Sequence, residues 1–388
     1  MTESPPKVLL AYASVGSGHE QAARALGEAF TKRGWSTAYI DFLDEVPAPM
    51  RFVMRDAYLQ LIKVLPLAYD LAFKRTVSAD VREAERTSLI LSTMGYQKLR
   101  DVAVHESPDA IISTNLFPTL ALARAKRHIH RETLMVNCFT DYILQTLYFS
   151  KGVDWHVSAN EEVTSEFLVA HRRVRQPIRP FGIPVRSAFT CHRTRAEARG
   201  ILNVPRQAHL AVIMGGGLGL GHILEACDAI TSKDFGDPLT VAALCGSNTT
   251  LRGQVQDLAV ARSSRHTIIP VGWTDQAPVW MQAADVLVSK AGGVTIAEAA
   301  AVGVPLVTYQ PLPGQESVNV QFLMRHEATC SAETTDQLLS AVEELMFTAR
   351  GPRIAENLRN LGKPTAADDV ADCVCRESGY PGTKGAAS

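Results

Sequence analysis

Between residues 285 and 319 the chain reads DVLVSKAGGVTIAEAAAVGVPLVTYQPLPGQESVN. An apolar β-branched run feeds the Gly292-Gly293 turn, and the turn opens a helical stretch. That order sets unpaired backbone N–H groups and the positive end of a helix dipole at one point, which makes a pocket for an anion. Thr295 adds a hydroxyl to the amides. Glu298 lies one turn further on, where a carboxylate can accept ribose hydroxyls or cap the helix. In the next polar loop Gln315, Glu316 and Asn319 carry acceptors and donors that suit sugar hydroxyls or bulk water. Together the residues fit a nucleoside diphosphate joined to a sugar.

Three further clusters have chemical potential. Gly16-Ser17-Gly18-His19 follows the first apolar run; the glycines allow a sharp turn and close approach of another molecule. His19 begins a helix, whose N-terminus disfavours imidazolium, so a neutral ring there can take a proton from a hydroxyl or hydrogen-bond its own loop. The run from Gly215 to Gly221 has five glycines in seven residues, and Gly216, Gly217 and Gly219 allow a phosphate or a facing domain to come close. It lacks the Lys-Ser/Thr of a P-loop and breaks the GxGxxG spacing, which counts against a dinucleotide oxidoreductase. Ser247 and Asn248, then Gly272 and Trp273, each follow an apolar run, at the strand ends where α/β sheets bind ligands. Trp273 can line a base pocket or pack in a core.

These positions need a scaffold, and the pattern predicts an α/β one. Short β-branched runs at 7–13, 37–41, 109–113, 133–139 and 154–158 alternate with amphipathic helical stretches. A second series falls at 209–214, 239–244, 267–271, 285–289 and 305–309. Strands separated by helices imply right-handed crossovers and parallel sheets covered on both faces. Residues 171–189 are rich in proline and arginine and read as a linker between two Rossmann-like halves around a cleft near Val185. Helices close the chain over 335–376, and the last residues read as a disordered tail.

Composition narrows the classes. The 388 residues are 46% hydrophobic and 20% charged with a formal net charge of −1, an ordinary globular balance that argues against a nucleic-acid partner. Seven cysteines include no CxxC pair, and the Cys373/Cys375 pair has no histidines at metal-ligand spacing, so reduced thiols and no metal site are expected. No leader segment and no apolar run long enough to span a membrane is read. Residues 51–75, RFVMRDAYLQLIKVLPLAYDLAFKR, mix apolar and aromatic side chains with bases. Such a stretch lies in a membrane interface or packs as a helix pair on the core.

The C-terminal run VGWTDQAPVWMQAADVLVSKAGGVTIAEAAAVGVPLVTYQPLPGQESVN resembles that of monogalactosyldiacylglycerol synthases and bacterial diacylglycerol glucosyltransferases. SVGSGHEQAARAL, FTDY at 139–142, SANEEV at 158–163, FGIPVRSAF at 181–189 and GGGLGLG fit the same family in order. The wider group includes MurG. The resemblance implies a GT-B fold, with residues 1–185 binding a lipid acceptor, 186–388 binding a UDP-sugar, and the last helices crossing back to the first domain. It implies inverting, metal-independent hexosyl transfer to a diacylglycerol-type lipid, without cofactor, by a cytoplasmic protein lying on an anionic membrane surface. His19 would stand beside the acceptor hydroxyl, with Gly16 and Gly18 forming its loop. Gly216, Gly217 and Gly219 would line the pyrophosphate side. Gly272 and Trp273 would flank uracil, and Gly292, Gly293 and Thr295 would hold the diphosphate. Glu298 would bind ribose; Gln315 and Glu316 would read the sugar. A soluble natural-product acceptor, an epimerase of the same fold, and a UDP-sugar-binding protein without transfer are the alternatives.

Overall fold

The computed structural model describes residues 5–54, 65–78, 81–129, 132–262 and 265–380. They form two compact units: the residues up to Arg186 together with those from Lys363 on, and the intervening Ser187–Gly362.

In the first unit six strands lie parallel: β1 (Lys7–Tyr12), β2 (Ser36–Asp41), β3 (Ala110–Ser113), β4 (Leu134–Cys138), β5 (Trp155–Val157) and β6 (Ile178–Arg179). Their order is β2-β1-β3-β4-β5-β6. The chain leaves β1 towards β2 and returns to its other side at β3, so the sheet reverses direction of growth between those two. Val8 to Ala11 have no exposed surface, as a strand covered on both faces requires.

The second unit repeats the plan with β7 (His209–Met214), β8 (Leu239–Leu244), β9 (Thr267–Val271), β10 (Val286–Ser289), β11 (Leu306–Tyr309) and β12 (Cys330–Ala332). Its order is β12-β11-β10-β7-β8-β9, again all parallel, with the reversal between β7 and β10.

Two strands depart from the expectation. The stretch read as a linker contains β6, which binds β5 through His156 N–H to Pro177 O (2.9 Å) and Ser158 N–H to Arg179 O (3.0 Å). A proline-flanked strand is tolerated there because it is an edge with one neighbour. The other, β12, has only three residues and no apolar run to announce it.

The helix Ala366–Glu377 belongs to the first unit. Val370, Ala371 and Val374 enter the same core as Phe30 and Trp35. Arg33 donates to Asp368 (2.8 Å) and Asp372 (2.7 Å), and the Trp155 indole donates to Glu377 (2.7 Å).

Of the stretch 51–75, residues 55–64 lie outside the described residues, as does the expected tail from 381 on. On either side, Phe52, Val53, Leu65 and Leu71 are exposed, whereas Phe73 is buried. Leu89 and Ile90, on the helix Val81–Leu91, are exposed too. No helix among the described residues is long and apolar enough to cross a membrane. All seven cysteines are free thiols, and only Cys191 is exposed.

Candidate functional site

In the first unit the chemistry gathers where the sheet reverses. Helix Ser17–Thr31 starts directly after the β1 loop, and His19 is its third residue. The loop is tied down by Asp41, whose carboxylate accepts Ser14 N–H (3.2 Å) and Leu43 N–H (3.0 Å). Thr114, just past β3, donates its hydroxyl to the His19 carbonyl (2.9 Å). Thr140, past β4, lies 3.2 Å from His19 Nδ1. Loss of water around the ring lowers the His19 pKa below the usual histidine value, and the nearby Asp141 carboxylate opposes that shift. The ring is therefore neutral near pH 7, with Nε2 unbonded among the described residues. Phe139 packs on Tyr148 (centroids 4.6 Å apart). Burial, then the charge of Asp141, pushes the Tyr142 and Tyr148 phenols well up, so both stay protonated beside that carboxylate.

Gly16 does not serve as a sharp turn. Its φ of −147° is open to any residue, and nothing lies within 4 Å of where a side chain would begin. What it provides is open space next to His19. Thr140 and Asp141 sit in the quoted FTDY segment, but their convergence on His19 depends on the β1-β3-β4 order, which the sequence alone does not display.

The second unit also places two of its candidate clusters at the reversal, after β7 and β10. The Gly215–Gly221 run is a compact turn closed by Gly219 N–H to Gly216 O (3.0 Å) and Leu220 N–H to Gly215 O (3.2 Å). Gly219 has φ +60°, and a methyl group there would lie 2.1 Å from the Cys245 carbonyl oxygen. Gly246, at φ +57°, presses likewise on the Gly217 carbonyl. The glycines thus let two backbone loops pack on each other.

That packing involves two of the expected polar residues. Ser247 donates its N–H (2.8 Å) and its hydroxyl (3.2 Å) to the Gly217 carbonyl, so it joins the loops. Asn248 caps the helix Thr249–Ala261, its side chain accepting Leu251 N–H (2.9 Å). Both position the turn. Gly272 follows β9, and a methyl group there would lie 3.5 Å from Arg252 Cδ. Trp273 is 57% exposed, so it is no core residue. The exposed Arg252, which spacing gave no reason to single out, stands beside Gly272.

After β10, Gly292 is the N-cap of the helix Gly293–Val302. The first helical bond is Ile296 N–H to Gly292 O (3.0 Å), which leaves the amides of Gly293, Val294 and Thr295 ahead of it. Glu298 lies in the second turn, 7% exposed, too far along to cap the helix. Gln315 opens the helix Gln315–Arg325. Glu316 pairs with Lys290 and accepts Leu312 N–H (2.9 Å). Asn319 is fully buried and donates to the Ala291 carbonyl (2.9 Å), which ties its helix to the turn after β10. Among the described residues no group of three or more His, Cys, Asp or Glu side chains is gathered as metal ligands would be.

Two α/β units with these reversal points define the GT-B class, and comparison agrees. Residues 19–185 match the family model for monogalactosyldiacylglycerol (MGDG) synthase, and residues 210–368 match that for the glycosyltransferase family 28 C-terminal domain. The chain is 25% identical over 375 residues to a processive diacylglycerol beta-glucosyltransferase of Bacillus subtilis (strain 168), covering 96% of this chain and 95% of that one. Among solved structures it resembles MurG of Acinetobacter baumannii, with a TM-score of 0.62 at 16% identity over 96% and 100% of the two chains. A UDP-glucosyltransferase from Polygonum tinctorium gives a TM-score of 0.62 at 15% identity over 96% and 99%. The chain thus carries an N-terminal domain of MGDG-synthase type and a C-terminal domain of glycosyltransferase family 28 type.

Proposed function

We propose that this glycosyltransferase moves a hexose from a UDP-sugar to a diacylglycerol-type lipid at a membrane surface, inverting the anomeric centre and using neither cofactor nor metal ion. The observation that carries the reading is the open amide cluster of Gly293, Val294 and Thr295 at the reversal point of the second sheet. A helix N-terminus there suits a diphosphate whose charge grows as it departs. The name of the Bacillus subtilis relative, which matches along nearly its whole length, supports a diacylglycerol acceptor.

In this reading Trp273 stacks on uracil, with Gly272 beside it. Glu298 accepts ribose hydroxyls, and Gln315 and Glu316 meet the sugar. Gly216, Gly217 and Gly219 shape the wall near the pyrophosphate. His19 donates its Nδ1–H to Thr140 and presents the Nε2 lone pair to the acceptor hydroxyl. As the hydroxyl oxygen bonds to the anomeric carbon, its proton passes to Nε2. The bond from that carbon to the β-phosphate oxygen breaks, and UDP leaves with the electron pair. Asp141 favours the imidazolium that forms. Exposed Phe52, Val53, Leu71, Leu89 and Ile90, with Arg51, Lys74 and Arg75 nearby in sequence, support a surface that rests on anionic lipid.

The test is incubation with radiolabelled UDP-sugars and membrane lipids, with and without chelator. A labelled diacylglycerol product that survives chelation is expected. Transfer only to water-soluble acceptors, or loss of product with chelator, would overturn the respective part.

A further inference from the structure

Lys290 comes directly after β10 and carries its side chain to where two glycine segments meet. A methyl group on Gly292 would lie 3.5 Å from its Nζ, and one on Gly221 would lie 3.8 Å from its Cδ. The ammonium therefore stands beside the first amides of the helix Gly293–Val302, with the end of the Gly215–Gly221 turn along its stem. Its one hydrogen-bond partner among the described residues is the Glu316 carboxylate, and the two side chains are only 17% and 11% exposed. Glu316 is fixed in turn by the Leu312 N–H. A carboxylate so anchored holds a mobile four-carbon side chain in one place, and that place adjoins the amides.

We infer that Lys290 binds the donor's diphosphate, and that Glu316 is the counter-ion that holds its ammonium until phosphate competes for it; the inference rests on the UDP-sugar reading above. When the bond to the anomeric carbon breaks, the electron pair goes to the β-phosphate oxygen. An ammonium beside the helix amides stabilises that charge far better than exposed lysine does in bulk water. Glu316 also competes for the same ammonium. Neutralising Glu316 therefore frees Lys290 for phosphate, whereas neutralising Lys290 leaves a carboxylate facing phosphate. The two substitutions act in opposite directions on diphosphate affinity, although both break the same ion pair.

Calorimetry with UDP and with uridine tests this on the wild-type chain, Lys290→Gln, Lys290→Arg and Glu316→Gln. UDP carries no sugar, so any contact of Glu316 with the hexose stays out of the measurement. Lys290→Gln is expected to weaken UDP about 10–100-fold, the usual loss for one charged hydrogen bond, and to leave uridine affinity unchanged. Lys290→Arg should restore most of the loss, and Glu316→Gln should bind UDP as tightly as wild type or more so. Parallel loss of UDP affinity in Lys290→Gln and Glu316→Gln would overturn the inference, because a purely structural bridge predicts that. Equal loss of uridine affinity in Lys290→Gln would overturn it too, as would an arginine variant no better than glutamine. A wild-type chain with no affinity for UDP would sink the donor reading itself, and this inference with it.

Discussion

His19 owes its usefulness to two opposed forces at one ring. Burial strips the imidazolium of water and lowers the pKa from 6.5, while Asp141 draws it back up. A base acts only when unprotonated, so activity should fall as pH drops through the folded pKa. Because that value lies below 6.5, the acid limb of kcat/KM should sit below the ordinary histidine midpoint. Asp141→Asn removes the charge that raises the pKa and should move the limb further down. His19→Ala should cut turnover about 100-fold or more with UDP affinity intact. A pH profile and single-turnover transfer check both, and unchanged turnover in the alanine variant removes His19 from the mechanism. At this scale the sequence disclosed residue types well and partners poorly. That His19 falls at a helix start, and that Gly292-Gly293 opens another, was legible, because helix starts are local. Thr140 at the ring, and Lys290 on Glu316, come from strand order and loop return, which no spacing encodes.

The loops after β7 and β8 show what the glycines are for. Gly219 combines a left-handed φ of +60° with a carbonyl oxygen 2.1 Å from any added methyl group. Gly219→Ala should therefore destabilise the protein by about 2–3 kcal/mol, from backbone strain plus displacement of the Cys245 loop. Gly16→Ala, at an extended φ with open space, should change stability by less than about 0.5 kcal/mol. Thermal and denaturant unfolding of the pair decides it, and equal stability of both variants would refute the packing argument. Of the ten strands expected from β-branched runs, the eight other than β2 and β9 were legible because a strand buried on both faces must be largely apolar, and those two edge strands because they run to six and five residues. β6 and β12 were not, since an edge strand of two or three residues buries too little to leave a pattern. The contacts of Ser247, Asn248 and Asn319 within the fold were hidden too, since a polar side chain looks alike in sequence whether it meets a ligand or a neighbouring backbone group.

At the scale of the molecule the chain crosses between its units twice, after Arg186 and before Lys363. The helix Ala366–Glu377 seals the first core with Val370 and Val374, each worth about 1.5–3 kcal/mol when fully buried. Set against a typical domain stability of about 5–15 kcal/mol, that is a large share. A chain ending at Gly362 should lose the cooperative unfolding of its first unit while the UDP binding proposed for the second persists. Calorimetric melting and UDP titration of that truncation test the point, and two intact transitions would contradict it.

Because the second unit is an insertion within the first, synthesis and completion run in different orders. A ribosome releases the whole second unit before the residues that close the histidine-bearing one have been translated. The segment made first is thus the one that finishes last, and a nascent chain carries an unsealed apolar face until its final helix emerges.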